Sequence, residues 1–173
     1  MPSFTASAQS KKRSTLSFWR MDETYLRVRG KWMYLYRAVD KAGNTLDFML
    51  SERRNRPAAT RFFAKALSSN GIPNKIVIDK SGANAAGIRE VNRILKRFRC
   101  PAKVQTIRSK FLTDMNKQGH RFKKRRVRHM CGFKSFESAS ATLVSIEVAN
   151  MIRKRQFSSD TTSGFRMFAE IAG

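Results

Sequence analysis

This sequence is short of acid. Its 173 residues hold 12 Asp and Glu against 36 Lys and Arg, a formal charge of +24. Each acid in an apolar context therefore stands out. Cysteine is scarcer still, at two residues, Cys100 and Cys131. Neither belongs to a CxxC pair or has histidine at zinc-ligand spacing, which excludes the common zinc modules. Both thiols are expected to be reduced and partly buried. No apolar run is long enough to cross a bilayer, and no secretory hydrophobic region opens the chain. These absences exclude a membrane span and point to a cytoplasmic protein.

What is present fits a single domain. The length suffices to bury a real core, and the hydrophobic content of 41% is ordinary. A domain this basic repels itself unless it meets a polyanion. Nucleic acid is the default partner, because neutralised phosphates release counterions and give sequence-independent affinity. The basic residues run along the whole chain, which favours a folded surface lying on a duplex over a loose basic arm.

Residues 1–16 are Ser- and Lys-rich without period and read as a flexible linker remnant. Phe18–Val28, FWRMDETYLRV, then alternates apolar and polar residues as a half-buried strand does. Trp19, Met21 and Thr24 are expected on one face, Arg20 and Asp22 on the other. The pattern serves two readings of Asp22 equally: a solvated acid on an edge strand, or an acid paired, metal-bound or set in a cleft. Glu23 falls on the opposite face and is expected to pair with an arginine.

Arg29-Gly30-Lys31 predicts a turn and Trp32–Val39 a second strand. There Tyr34 and Tyr36 face one way and Met33, Leu35 and Arg37 the other. Asp40–Asn44 has hairpin chemistry and leads to a third strand at Thr45–Ser51. Pro57 opens a helical pattern that ends at Asn70-Gly71. Lys75–Asp79 is a short apolar strand ending on an acid, expected to be covered on both faces. A turn at Ser81–Asn84 leads to a helix over Ala85–Phe98, and Lys103–Ile107 reads as a fifth strand. A very basic helix is expected over Phe111–Arg128. The long periodic stretch Ser135–Phe157 follows, with a weak helical end at Phe165–Ile171. The order is βββαβαβαα, with one domain over 17–157 and a tail over 158–173.

Asp22 in the first strand and Asp79 at the end of the fourth suit two-metal phosphoryl transfer, which needs carboxylates from separate elements. Spacing alone says little, since acids at strand ends are common. The words around them are more specific. WRMDETYLRVRGKWMYLYRAVDKAGNTLDFMLSERRN (Trp19–Asn55) resembles the catalytic domain of bacterial insertion-sequence transposases of the D-D-E type, in particular the sixth insertion-sequence family. KIVIDKSGAN (Lys75–Asn84), HRFKKR (His120–Arg125) and GFKSFESASATLVSIEVANMIRK (Gly132–Lys154) match in the same order.

The resemblance implies an α/β ribonuclease H-like fold: a mixed five-stranded sheet, βββαβαβ, flanked by helices, with C-terminal helices. It implies Mg²⁺- or Mn²⁺-dependent strand transfer on DNA, with Asp22 and Asp79 as catalytic metal ligands. It also implies homo-oligomers, or mixed oligomers with an intact transposase, on the bacterial nucleoid.

Two departures bear on activity. The family's helix-turn-helix region, which precedes the catalytic domain, has no counterpart in 1–16. The family's third acid is a Glu in a run resembling YLNNxxEQDHR, whereas this chain reads FLTDMNKQGHR at Phe111–Arg121. Lys117 stands at the Glu position. Asp114, the only nearby acid, lies about 4.5 Å away along a helix axis at 1.5 Å per residue. The expectation is a degenerate, impaired transposase domain; the alternatives are a non-catalytic DNA-binding remnant or an inhibitor of an intact transposase. DNA contact is assigned to Lys80, His120, Arg121, Lys123, Lys124, Arg125, Arg126 and Arg128.

Overall fold

The structure, a computed structural model, describes residues 18–109 and 133–154. The linker over 1–16, the basic helix Phe111–Arg128 and the tail from 158 lie outside the described residues.

Strands β1 (Phe18–Val28), β2 (Lys31–Asp40) and β3 (Thr45–Ser51) form an antiparallel meander. Arg29 and Gly30 link the first two with positive φ at both residues (50° and 76°), as a primed hairpin turn requires. Asp40 organises the second turn. Its carboxylate accepts the Asn44 N–H at 2.8 Å and the Asn44 amide at 3.0 Å. Helix α1 (Arg56–Asn70) is capped by Asn55, whose side chain accepts the Ala58 N–H, and it stops at Gly71, φ 83°. Strand β4 (Lys75–Ile78), helix α2 (Gly82–Arg97) and strand β5 (Gln105–Arg108) follow. Helix α3 (Phe136–Arg153) begins where Ser135 accepts the Ser138 N–H.

The five strands form one mixed sheet in the order β3-β2-β1-β4-β5, with β4 parallel to both its neighbours. β1 is therefore central, which removes the edge-strand reading of Asp22. The pleat sends alternate residues of β1 to opposite faces. Trp19 and Met21 join Tyr36, Phe62, Phe63, Ala66, Ile88 and Val91 in the main core beneath α1 and α2. Leu26 and Val28 serve smaller clusters that include Leu143 and Ala139 of α3. Thr24 has the parity of Asp22 and Leu26, so it faces away from Trp19, contrary to the expectation. Each fully buried side chain of the Phe62 or Met21 class contributes about 1.5–3 kcal/mol relative to exposure. Cys100 is a free, half-buried thiol; Cys131 lies outside the described residues.

Candidate active site: two arginines hold the strand acids

Asp22 and Glu23 are consecutive in the central strand and so point to opposite faces of the sheet. Asp22 lies directly across from Arg37 of β2. Arg37 donates from Nε to Asp22 Oδ1 at 3.2 Å and from Nη2 to Oδ2 at 2.5 Å. Both side chains are buried. Burial by itself lowers the Arg37 pKa, but the Asp22 charge and hydrogen bond, with a smaller contribution from Glu147, raise it overall. Glu147 reaches the sheet from α3 and accepts the Thr45 hydroxyl at 3.1 Å.

Glu23 takes part in the second arrangement, on the face of α1 and α2. Arg54, just past β3, donates from Nε to Glu23 Oε2 at 2.6 Å. Its Nη2 lies 3.6 Å from Asp79 Oδ2. Asn84, buried in the first turn of α2, donates its amide to Glu23 Oε1 and, at 3.1 Å, to Asp79 Oδ1. The Ser81 N–H also donates to Asp79 Oδ1, at 3.0 Å. Burial lowers the Arg54 pKa, and the Glu23 hydrogen bond and charge reverse it, so the net shift is upward. Tyr25 beside this group also has a raised pKa, chiefly from burial; Arg54 opposes the shift, and Glu23 and Asp79 add to it.

Asp22 and Asp79 thus sit on neighbouring strands but have different partners. In the parallel ladder Arg20 pairs with Val77, so Asp22 would stand beside Asp79 two steps further on. β4 stops at Ile78, and the turn into α2 brings the Asp79 carboxylate to Asn84 and Arg54. The acid that shares those partners is Glu23. Its pairing with an arginine agrees with the expectation from sequence. Lys80 is exposed, and its carbonyl accepts Arg108 Nη2 at 3.0 Å. Asp114, Lys117, His120, Arg121, Lys123, Lys124, Arg125, Arg126 and Arg128 lie outside the described residues.

Sequence reasoning missed the roles of Arg37, Arg54 and Asn84. Arg37 carried a local signal: an opposite charge at the same pleat parity in the next strand. Arg54 and Asn84 carried none, since only the tertiary fold brings them to Glu23.

The metal implied by the resemblance can be tested against this geometry. Among the described residues, no group of three or more His, Cys, Asp or Glu side chains could hold a metal ion. Asp22 is neutralised by Arg37, and Glu23 and Asp79 share Arg54. The described residues in this arrangement do not fit a magnesium pair.

Comparison with known proteins supplies the lineage. A family model described as a DDE domain matches residues 16–156. The transposase for insertion sequence-like element IS431mec of Staphylococcus aureus is 33% identical over 155 residues. That match covers 89% of this chain and 66% of the relative. The transposase for insertion sequence element IS257 in transposon Tn4003, also of S. aureus, gives the same values. The chain therefore spans 66% of the length of these relatives.

Among solved structures, the simian T-cell lymphotropic virus intasome in complex with PP2A regulatory subunit B56 gamma superposes with a TM-score of 0.59 at 12% identity. It covers 90% of this chain and 56% of that one. The HTLV-2 integrase catalytic core domain in complex with magnesium, trimeric form, gives 0.56 at 12% identity, over 89% of this chain and 98% of that one. At such identity the likeness speaks for the fold alone, a ribonuclease H-like α/β sheet. With the family model spanning residues 16–156 and relatives one-third identical, this chain belongs to the D-D-E insertion-sequence transposases, in the sixth insertion-sequence family, as a catalytic domain.

Proposed function

We propose that this chain is a DNA-binding transposase catalytic domain of degenerate type, impaired in Mg²⁺- or Mn²⁺-dependent strand transfer. The observation that carries the reading is the DDE-domain match on a chain of formal charge +24. Such a surface takes up a polyanion and releases counterions. Asp22 and Asp79 are the acids that the family resemblance assigns to chemistry, and Arg37 and Arg54 oppose their use as metal ligands. Lys117, at the position of the family's third acid, adds a cation where a divalent ion needs oxygen. The working partner is double-stranded DNA in the bacterial cytoplasm, at the nucleoid. The chain would form homo-oligomers, and mixed oligomers with an intact transposase would make it an inhibitor of that enzyme.

The test is a strand-transfer assay with purified protein in Mg²⁺ and in Mn²⁺, beside Lys117→Glu. The unaltered chain should bind duplex DNA and join no strands. Lys117→Glu should gain thermal stabilisation by Mg²⁺, the mark of recovered binding. Strand transfer by the unaltered protein, abolished in Asp22→Ala, would overturn the impairment and leave the family assignment intact.

A further inference from the structure

Beyond the acids, the main-core face of the sheet continues to the end of the β1–β2 hairpin, where its aromatic residues emerge. Trp32 is 54% exposed and Tyr25 46%. Tyr25 is the cross-strand partner of Tyr34, and the two rings meet edge to face with centroids 5.6 Å apart. Trp32 is the cross-strand partner of Arg27, whose guanidinium carbon lies 4.9 Å from the indole centroid. The Arg54 guanidinium stands 5.6 Å from the Tyr25 ring centroid. Arginine and aromatic side chains therefore alternate over one open surface that begins beside Glu23.

Large exposed aromatics are costly unless they have a use, and a contiguous patch marks a binding surface. Three features choose the occupant. The aromatics stand on two adjacent strands about 4.8 Å apart, with alternate residues about 6.8 Å apart along each, the layout of a sheet that stacks successive bases. The neighbouring cations favour a polyanion, and exposed Arg29 and Lys31 at the hairpin turn extend the positive charge. An intact duplex hides its base faces, so only unpaired nucleotides can use such rings. We infer that the Tyr25–Trp32 surface, with Arg27, Arg29 and Lys31, is a stacking platform for unpaired nucleotides of DNA. Bases lie on Trp32 and Tyr25, and the strand's phosphates meet these three exposed cations. The inference rests on the proposal that the chain acts on DNA, and it names the form of DNA that reaches this face.

The protein carries two tryptophans, and Trp19 is buried in the core while Trp32 is exposed. Quenching of tryptophan emission therefore reports on Trp32. The experiment titrates the full chain with a single-stranded oligo(dT) and with a blunt duplex, reading emission and the anisotropy of end-labelled DNA. Oligo(dT) should quench the emission. Trp32→Ala and Tyr25→Ala should each weaken oligo(dT) binding roughly 5- to 150-fold, the range for removal of one stacked base. Trp32→Phe should retain most of the affinity, and duplex binding should change by less than about twofold in all three variants. Circular dichroism of each variant checks the fold, which exposed positions should leave intact.

Oligo(dT) affinity unchanged in folded Trp32→Ala and Tyr25→Ala would overturn the platform and spare the duplex-binding proposal. Equal losses for oligo(dT) and duplex would overturn it too. So would a Trp32→Ala variant that dissociates into smaller species with unaltered oligo(dT) affinity, since the surface would then join protein to protein. No binding of either DNA would sink both readings together.

Discussion

Arg37 and Asp22 face each other across the β1–β2 ladder and are joined by two hydrogen bonds, 3.2 and 2.5 Å long, on the face of the sheet away from α1 and α2. Both side chains are buried. Arg37→Met should remove the two-point donor from the buried Asp22 carboxylate and destabilise the domain by up to about 3–5 kcal/mol in urea unfolding. Replacing both, as Asp22→Leu with Arg37→Met, should recover most of that loss. A cost under about 1 kcal/mol for Arg37→Met alone would show that Asp22 finds water or another partner.

Tyr36 is fully buried against Phe62, and its hydroxyl has no hydrogen-bond partner among the described residues. Burial, with a smaller contribution from Glu23, raises its pKa far above the ordinary 10.0. The sign follows: above pH 10 the unfolded chain releases this proton while the folded chain keeps it, so stability falls as pH rises. Tyr36→Phe should match or exceed the parent's melting temperature at neutral pH, because it removes an unpaired buried group. It should also lose less stability above pH 10. Thermal melts across this range check both; a large loss at neutral pH would reveal a partner for the hydroxyl.

At Gly87, α2 packs tightly against α1. A Cβ there would lie 2.7 Å from Ala59 Cβ and 3.1 Å from two backbone atoms, Ala59 C and Thr60 N. Alanine gains about 1 kcal/mol of helix propensity over glycine. Overpacking typically costs about 1–3 kcal/mol, and backbone yields less readily than a flexible side chain. Gly87→Ala should therefore be net destabilising by roughly 1 kcal/mol. Adding Ala59→Gly removes the nearest atom but gives up about 1 kcal/mol of helix propensity in α1, so the double variant should lose less than the sum of the two single losses. Denaturant midpoints of the three variants decide it.

Salt dependence tests the basic run on DNA. Duplex affinity should fall steeply with salt. Changing Lys123, Lys124, Arg125 and Arg126 together to glutamine should flatten the log–log slope by about 0.9 for each phosphate that is no longer neutralised. An unchanged slope would mean that this run lies off the duplex.

The strands are the most legible part of the chain. Phe18–Val28 and Thr45–Ser51 have the same bounds in sequence and structure, because alternation and turn chemistry agree there. β5 starts two residues later than the expected Lys103, since all four of its residues are exposed and leave no burial pattern to read. α2 begins at Gly82, inside the expected turn. Ser-Gly-Ala-Asn has turn chemistry, but Asn84 spends its amide on Glu23 and Asp79 from within the helix. The acids are legible as residues and their partners only in part. Parity alone sends Asp22 and Glu23 to opposite faces. Which face receives Asp79 depends on where β4 stops and how the chain turns, and no local pattern encodes that. Thr24 is misplaced when composition is read ahead of strand period.

Among the described residues, the order of the sheet leaves β5 at one margin, four residues long and exposed throughout. An unpaired strand margin is a template on which another chain can add, the first step of aggregation. Here the margin is short, ends on Arg108 and follows exposed Lys103. At a net charge of +24 two copies also repel each other. The same basicity thus holds free copies apart. Under the proposed DNA binding that protection weakens where nucleic acid cancels the charge, so crowding along DNA is the condition in which the β5 margin would begin to recruit its like.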